Sequence, residues 1–177
     1  RIKAAVEYRH FLKLDDPKGG CRLINSEADG LPGLVVDRYA GVLVIQITSA
    51  GIGFHRDTIV GLLAEITGAA SIYERSDVSV RAKEGLAERS GLLYGAQPPN
   101  PVSIEENGAR FAVDVRHGQK SGFYFDQRCA RAAVAAYADG RTVLNAFSYT
   151  GAFAVSALLA GAGHVINIDS SAPALKQ

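Results

Sequence analysis

The sequence predicts a central α+β domain followed by the opening half of an α/β domain. Three observations carry this expectation. Ile59, Leu62, Leu63 and Ile66 recur at helical spacing between short β-branched runs. Asn107-Gly108, the dipeptide suited to a type I′ turn, sits between two alternating segments just after a proline-rich break. From Thr142 onward a strand, a helix and a second strand follow one another, which implies a crossover joining parallel strands.

Taken in order, residues 1–20 read as a linker or the tail of an upstream domain, because Asp15 to Gly20 is a cluster of turn formers. Leu34 to Arg38 and Val42 to Thr48 flank Tyr39-Ala40-Gly41 as a hairpin, the second strand apolar on both faces and therefore interior. Phe54 to Thr67 is a helix stopped by Gly68, Ala70 to Tyr73 a short strand, and Val80 to Arg89 a helix. Gln97-Pro-Pro-Asn-Pro101 excludes regular structure and closes a domain at 21–101. Residues 102–177 open with the Val102 to Glu106 and Ala109 to Val115 hairpin and continue with a helix from Gln127 to Ala138. A strand over Thr142 to Phe147, a loop over Ser148 to Gly151, a helix over Ala152 to Ala160 and a strand over Val165 to Asp169 complete the series. One crossover unit cannot cover both faces of a parallel sheet, so the second domain is expected to be truncated.

Composition narrows the function classes. The 177 residues are 47% hydrophobic and 21% charged, which excludes wholesale disorder, and contain no Met, so the chain is expected to be a fragment. A formal net charge of +1 supplies no global field for nucleic acid or membrane, so RNA binding must use local patches. Cys21 and Cys129 lie far apart with no His at ligand spacing, so no metal site and no disulfide framework are expected. Both read as buried apolar side chains of a cytoplasmic protein. No apolar run approaches the ~20 residues that span a bilayer, so no membrane partner is expected.

Chemistry concentrates where the first parallel strand turns into its helix, at Asn145-Ala-Phe-Ser-Tyr-Thr-Gly151. Free backbone N–H groups and the positive end of the helix face outward there. Asp169 ends the next strand roughly 20 residues on, an offset at which a carboxylate can accept hydrogen bonds from both ribose hydroxyls. Gly151 is the one glycine of the loop, so the G-x-G-x-x-G that lets backbone approach a pyrophosphate is missing. This argues against a nucleotide-dependent oxidoreductase and for S-adenosyl-L-methionine, which carries a ribose and an adenine but no phosphate. The competing reading is an ordinary turn with Thr150 as the helix N-cap and Asp169 leading into the next helix.

Four segments then carry a family resemblance: Val143 to Leu159, Gly118 to Arg128, Ile72 to Arg81 with Lys83-Glu-Gly85, and Glu27 to Tyr39. Together they resemble the bacterial and archaeal S-adenosylmethionine-dependent methyltransferases that modify large-subunit ribosomal RNA, the 5-methylcytosine type with an N-terminal PUA domain. The resemblance covers nearly all of residues 21–177. It implies a central α+β domain followed by the first half of a Rossmann-like class I methyltransferase domain. It further implies S-adenosyl-L-methionine as cofactor, large-subunit ribosomal RNA as partner, and C5 of a cytosine as target, and it leaves a homodimer open. The catalytic residues implied, an Asp-Pro-Pro-Lys run and a nucleophilic Cys, are expected beyond Gln177, so this segment alone should be inactive.

Residue by residue, the resemblance places Asn145, Phe147, Ser148, Tyr149, Thr150 and Gly151 along the methionine side of the cofactor, with Asp169 and Ser170 at the ribose. Gln127 opens a helix leading into the methyltransferase sheet, and Arg128 could pair with the cofactor carboxylate or be a plain surface cation. Arg75, Arg81, Lys83 and Lys120 are the candidates for RNA phosphate contact, Arg75 having the alternative of a local ion pair with Asp77. Two other functions stay open: a noncatalytic RNA-binding or assembly module, and a methyltransferase acting on another RNA base.

Overall fold

A computed structural model of the chain describes Arg1 to Lys176 and divides them into two compact units. The first comprises residues 1–104 and 113–123, the second residues 105–112 and 124–177.

Unit 1 is built on a five-stranded sheet in sequential order: β1 (Gly20–Asn25), β2 (Leu34–Tyr39), β3 (Val42–Ile47), β4 (Ser71–Ser76) and β5 (Arg89–Gly95). All neighbours are antiparallel except β3 and β4, which are parallel. A parallel pair needs a crossover; here α1 (Ile2–Phe11) precedes the sheet, and the segment between β3 and β4 supplies α2 (Ala50–Phe54) and α3 (Arg56–Thr67). The expected turn at 39–41 forms with Tyr39 opposite Val42, and Gly68 ends α3 in the left-handed region at φ 62°. Leu34, Val36, Leu43, Ile45, Ile47, Leu63 and Ile72 form the centre of the core.

Two expectations change. Residues 1–20 are not a detached tail: α1 places Ile2 and Ala5 in the same core as the sheet. The turn formers after Leu14 end this helix rather than isolate it. The helix expected over Val80 to Arg89 is a 3-10 turn, Ser79–Glu84, followed by β5. Gly85 at φ 69° ends the turn, and the edge of β4 captures the following residues as an antiparallel partner, which outweighs local helix preference.

The hairpin of β6 (Val102–Glu106) and β7 (Ala109–Val113) forms as expected, with Asn107 and Gly108 at φ 50° and 79°. Its turn end belongs to unit 2 and its open ends to unit 1, so the division falls within the hairpin rather than at Pro101.

Unit 2 continues with α4 (Arg128–Ala135), β8 (Thr142–Ala146), α5 (Ala152–Leu159), β9 (His164–Ile168) and the short α6 (Ala172–Leu175). β8 and β9 are parallel, as the strand, helix and strand pattern requires. Leu144, Ile166 and Ile168 are exposed on this two-stranded sheet, at 63%, 44% and 54%, on a face that parallel sheets ordinarily cover with helices. Among the described residues no helix is long and apolar enough to cross a membrane.

Candidate functional site

Unit 2 brings Asn145, Phe147 to Gly151, Asp169 and Ser170 together at the C-terminal ends of β8 and β9. Their register sets Asn145 opposite Asn167, and the Asn145 amide donates to Asn167 Oδ1 at 2.9 Å. Asn167 is a residue that local pattern does not single out, because the register of two parallel strands is not written in either of them.

Beyond Ala146 the chain turns through Phe147 to Gly151. Phe147, Tyr149 and Gly151 adopt φ of 57°, 50° and 80°, a conformation that residues other than Gly adopt at a cost of ~1 to 3 kcal/mol each. Backbone hydrogen bonds hold it: Ser148 N donates to Ile168 O at 3.1 Å, and Gly151 N to Ser148 O at 2.8 Å. Glycine is favoured at 151 on two counts. It sits in the left-handed region, and a Cβ there would stand 3.3 Å from Asn167 Nδ2.

Asp169 ties this turn to the end of β9. Its Oδ2 accepts from Tyr149 N at 2.7 Å and its Oδ1 from Ser171 N at 2.8 Å. The Ser171 amide first, then those of Tyr149 and Ser170, hold the carboxyl below the usual aspartate range. These amides do not use all of the roughly four lone-pair sites of a carboxylate, so an ionised Asp169 still has acceptor capacity to offer. Ser148 is buried and its hydroxyl has no partner, an unmet polar group within the turn. The rings of Tyr124 and Tyr149 meet edge to face at 5.7 Å, which adds a second aromatic from a distant position. Phe147 is 94% exposed to solvent, and Ser170, next in sequence to Asp169, is exposed too.

The alternative of a capped turn forms only in part: Asp169 leads into α6 by accepting from Ser171 N, but the cap expected of Thr150 does not form. Gly151, not Thr150, is the N-cap residue of α5, and no side chain caps that helix. The turn presents amides, a hydroxyl and a carboxylate without a lysine or arginine between Asn145 and Gly151, and its one glycine lies at the helix start. Such a set suits a neutral sugar and an amino-acid end better than a pyrophosphate. The partnerless Ser148 hydroxyl and the remaining acceptors of Asp169 fit S-adenosyl-L-methionine.

Gln127 closes the 3-10 turn Phe125–Gln127 immediately before α4. Arg128 donates from Nε to Glu106 Oε2 at 3.0 Å, and the buried Arg131 from Nε to Glu106 Oε1 at 2.7 Å. Glu106 is thus the counter-ion of both arginines, a role its place in a hairpin strand does not signal. Cys129 is exposed on α4, contrary to the burial expected of it, whereas Cys21 is buried.

The cations expected at RNA separate into two kinds. Arg75 is buried, pairs with Asp77 at 3.1 Å, and donates to the carbonyls of Val115 and Gly118 at 3.3 Å. Arg81 is also buried and donates to Ala87 O at 2.8 Å and to Ile47 O. Both therefore fasten loops within unit 1 instead of facing solvent. Lys83 and Lys120 are exposed. No group of three His, Cys, Asp or Glu that could hold a metal occurs among the described residues.

Residues 31–177 match the family described as S-adenosylmethionine-dependent methyltransferase. The chain belongs to this family. Within the methyltransferases, it is 53% identical over 176 residues to the ribosomal RNA large subunit methyltransferase I of Aeromonas hydrophila, covering 99% of this chain and 44% of that protein. A methyltransferase from Streptococcus mutans has the same fold with a TM-score of 0.83 at 27% identity, covering 99% of this chain and 45% of the other. A methyltransferase crystallised with SAH superposes with a TM-score of 0.82 at 26% identity, with the same coverage. The chain thus spans under half the length of these relatives.

Proposed function

We propose that the protein carrying this chain methylates large-subunit ribosomal RNA with S-adenosyl-L-methionine, in the cytoplasm. The observation that carries this reading is the 53% identity to the Aeromonas hydrophila enzyme over 99% of the chain. The resemblance in the four segments favours C5 of a cytosine as the methyl acceptor.

In this reading Asp169 accepts hydrogen bonds from the ribose hydroxyls, with its charge kept by the Ser171 and Tyr149 amides. Asn145, Ser148, Tyr149, Thr150 and Gly151 surround the methionine end, and the Ser148 hydroxyl gains the partner it lacks. Ser170 lies at the ribose, and the exposed Phe147 ring is available to the methionine side of the cofactor. Gln127 and Arg128 border the site from the start of α4, with Glu106 fixing the Arg128 head. The bound cofactor supplies an electrophilic methyl group; the turn orients it and the carboxylate holds it. Lys83 and Lys120 contact RNA phosphates.

The test is transfer of labelled methyl from S-adenosyl-L-methionine to ribosomal RNA by the full-length protein, followed by mapping of the modified base. Methylation of a base other than cytosine would replace the C5 assignment, and absence of any transfer would remove the ribosomal RNA reading.

A further inference from the structure

Unit 1 holds a second candidate site, built from residues that take no part in the turn at Asn145 to Gly151. The end of β3, the α2–α3 segment, β4 and the 3-10 turn before β5 enclose a cavity of about 410 Å³. Its walls combine Phe54 and Leu86 with Glu74, Arg56, Arg81 and Arg89. This volume lies in the range of small-molecule pockets.

Glu74 gives the cavity its chemistry. The side chain is 1% exposed, and its Oε2 accepts from Arg56 twice, from Nε at 3.0 Å and Nη2 at 2.8 Å. Its Oε1 is buried with no hydrogen-bond partner. A buried carboxylate oxygen without a donor bears the full cost of its lost hydration, which a ligand carrying a donor would relieve. Arg81 is pinned by Ala87 O and Ile47 O, so it contributes fixed positive charge. Arg89 is exposed, and Phe54 at the rim is 86% exposed.

The charges limit what fits. A purely cationic ligand would meet three arginines against one carboxylate, and a purely anionic one would leave Glu74 Oε1 unpaired. A molecule with an amino donor at one end, a flat apolar body and an anion at the other satisfies every wall. We propose that this cavity binds an unpaired nucleotide of RNA whose base carries an exocyclic amine, the amine donating to Glu74 Oε1, the base resting against Phe54 and Leu86, and the phosphate meeting Arg89 or Arg56. Aromatic contact and positioned cations are the ordinary means of holding an unstacked nucleotide. Uracil fits poorly: its one Watson–Crick-edge donor lies between two carbonyl oxygens, which would face the carboxylate. The site rests on the RNA reading above and deepens it by adding a grip on a second base, distinct from the methyl acceptor.

The experiment titrates the full chain with CMP, AMP and UMP, following backbone amide shifts by NMR. CMP and AMP should perturb residues 47–56, 74 and 85–89 and bind at least about tenfold more tightly than UMP. Glu74→Gln keeps the shape and an acceptor for Arg56 but offers an amide in place of the free oxygen, so the preference over UMP should vanish. Arg89→Ala, on the surface, should weaken all three nucleotides by a similar factor with the melting temperature unchanged. Equal binding of UMP and CMP by the unaltered chain, shifts confined to other residues, or an unchanged preference in the Glu74→Gln variant would each overturn the assignment. Methyl transfer to ribosomal RNA is measured separately, with the full-length protein. Transfer without nucleotide discrimination sinks the cavity alone, and discrimination without transfer sinks the ribosomal RNA reading alone.

Discussion

The Tyr39 and Ser121 hydroxyls lie 2.9 Å apart, both buried, although 82 positions separate them. They form one link of a chain: Phe123 N donates to Tyr39 Oη at 3.2 Å, Tyr39 to Ser121 Oγ, and Ser121 to Asp37 Oδ2. Asp37 is fully buried and is also held by Arg22 at 2.9 and 3.0 Å. Burial, and then the charge of Asp37, push the Tyr39 phenol above its ordinary value, so it remains a donor. The network anchors residues 113–123 to the sheet of unit 1.

Ser121→Ala breaks that chain in the middle and leaves the Tyr39 hydroxyl without its acceptor. It should lower unfolding free energy by ~1 to 3 kcal/mol, read as a shift of the urea midpoint at constant slope. A change below about 0.5 kcal/mol would mean that water replaces the hydroxyl at no cost.

At the cofactor turn, Asp169 has two tasks, holding the Tyr149 amide and offering acceptors to a ribose. Asp169→Asn keeps one acceptor and the local size, so the far-ultraviolet spectrum should be unchanged while affinity for S-adenosylhomocysteine falls at least tenfold. One charge-assisted bond is worth ~1.5 to 3 kcal/mol. Calorimetry showing full affinity would take Asp169 out of the site.

Gly151→Ala should disturb the same turn by a different route. The new Cβ meets Asn167 Nδ2 at 3.3 Å in a left-handed backbone position, a cost of ~1 to 2 kcal/mol. Thermal unfolding should shift downward, and S-adenosylhomocysteine should restore part of the loss through binding linkage.

Acid stability should depend on Asp29. Arg9 grips its carboxylate at 2.6 and 2.7 Å and, through those hydrogen bonds, lowers its pKa in the folded state. A depressed folded value contributes stability that is complete above the unfolded value of about 3.9 and is lost as pH falls through the folded value. Asp29→Asn should therefore destabilise at neutral pH and converge with the parent once the pH lies below the folded value, as measured by urea unfolding across pH. A constant difference between the two down to the acid end of the series would exclude this linkage.

For RNA, Lys83→Ala and Lys120→Ala should each reduce the slope of log affinity against log salt by ~0.7 to 0.9 for each phosphate no longer neutralised, and Lys83→Ala should do so without an earlier melt. Arg81→Ala should do the opposite: an earlier melt, because Ala87 O and Ile47 O lose their donor. Filter binding at several salt concentrations beside a melting curve distinguishes the two kinds of cation.

The amino-acid order by itself determined the elements whose signals are local. Asn107-Gly108 dictated a hairpin because both residues accept positive φ, Gly68 ended α3 for the same reason, and the period marked Ile59 and Leu63 on the buried face of α3, although Leu62 of the same pattern is 40% exposed and Val60 is buried instead. The strand, turn and helix carrying Asn145 to Gly151 were legible likewise, since one short segment contains them. Tertiary structure decided what depends on distant partners. Residues 80–95 became a 3-10 turn and a strand because β4 offered an open edge, and α1 joined the core because Ile2 and Ala5 found apolar surface there. Sequence left Arg75 open between phosphate contact and a pair with Asp77, which forms, and read Arg81 as an RNA cation; burial against Gly118 O and Ile47 O made both internal fasteners. Asn167 opposite Asn145, Glu106 between two arginines, and the partnerless oxygen of Glu74 all arise from register and packing. Hydrogen bonding and exclusion from water act between atoms close in space, and local pattern cannot specify which remote residue arrives.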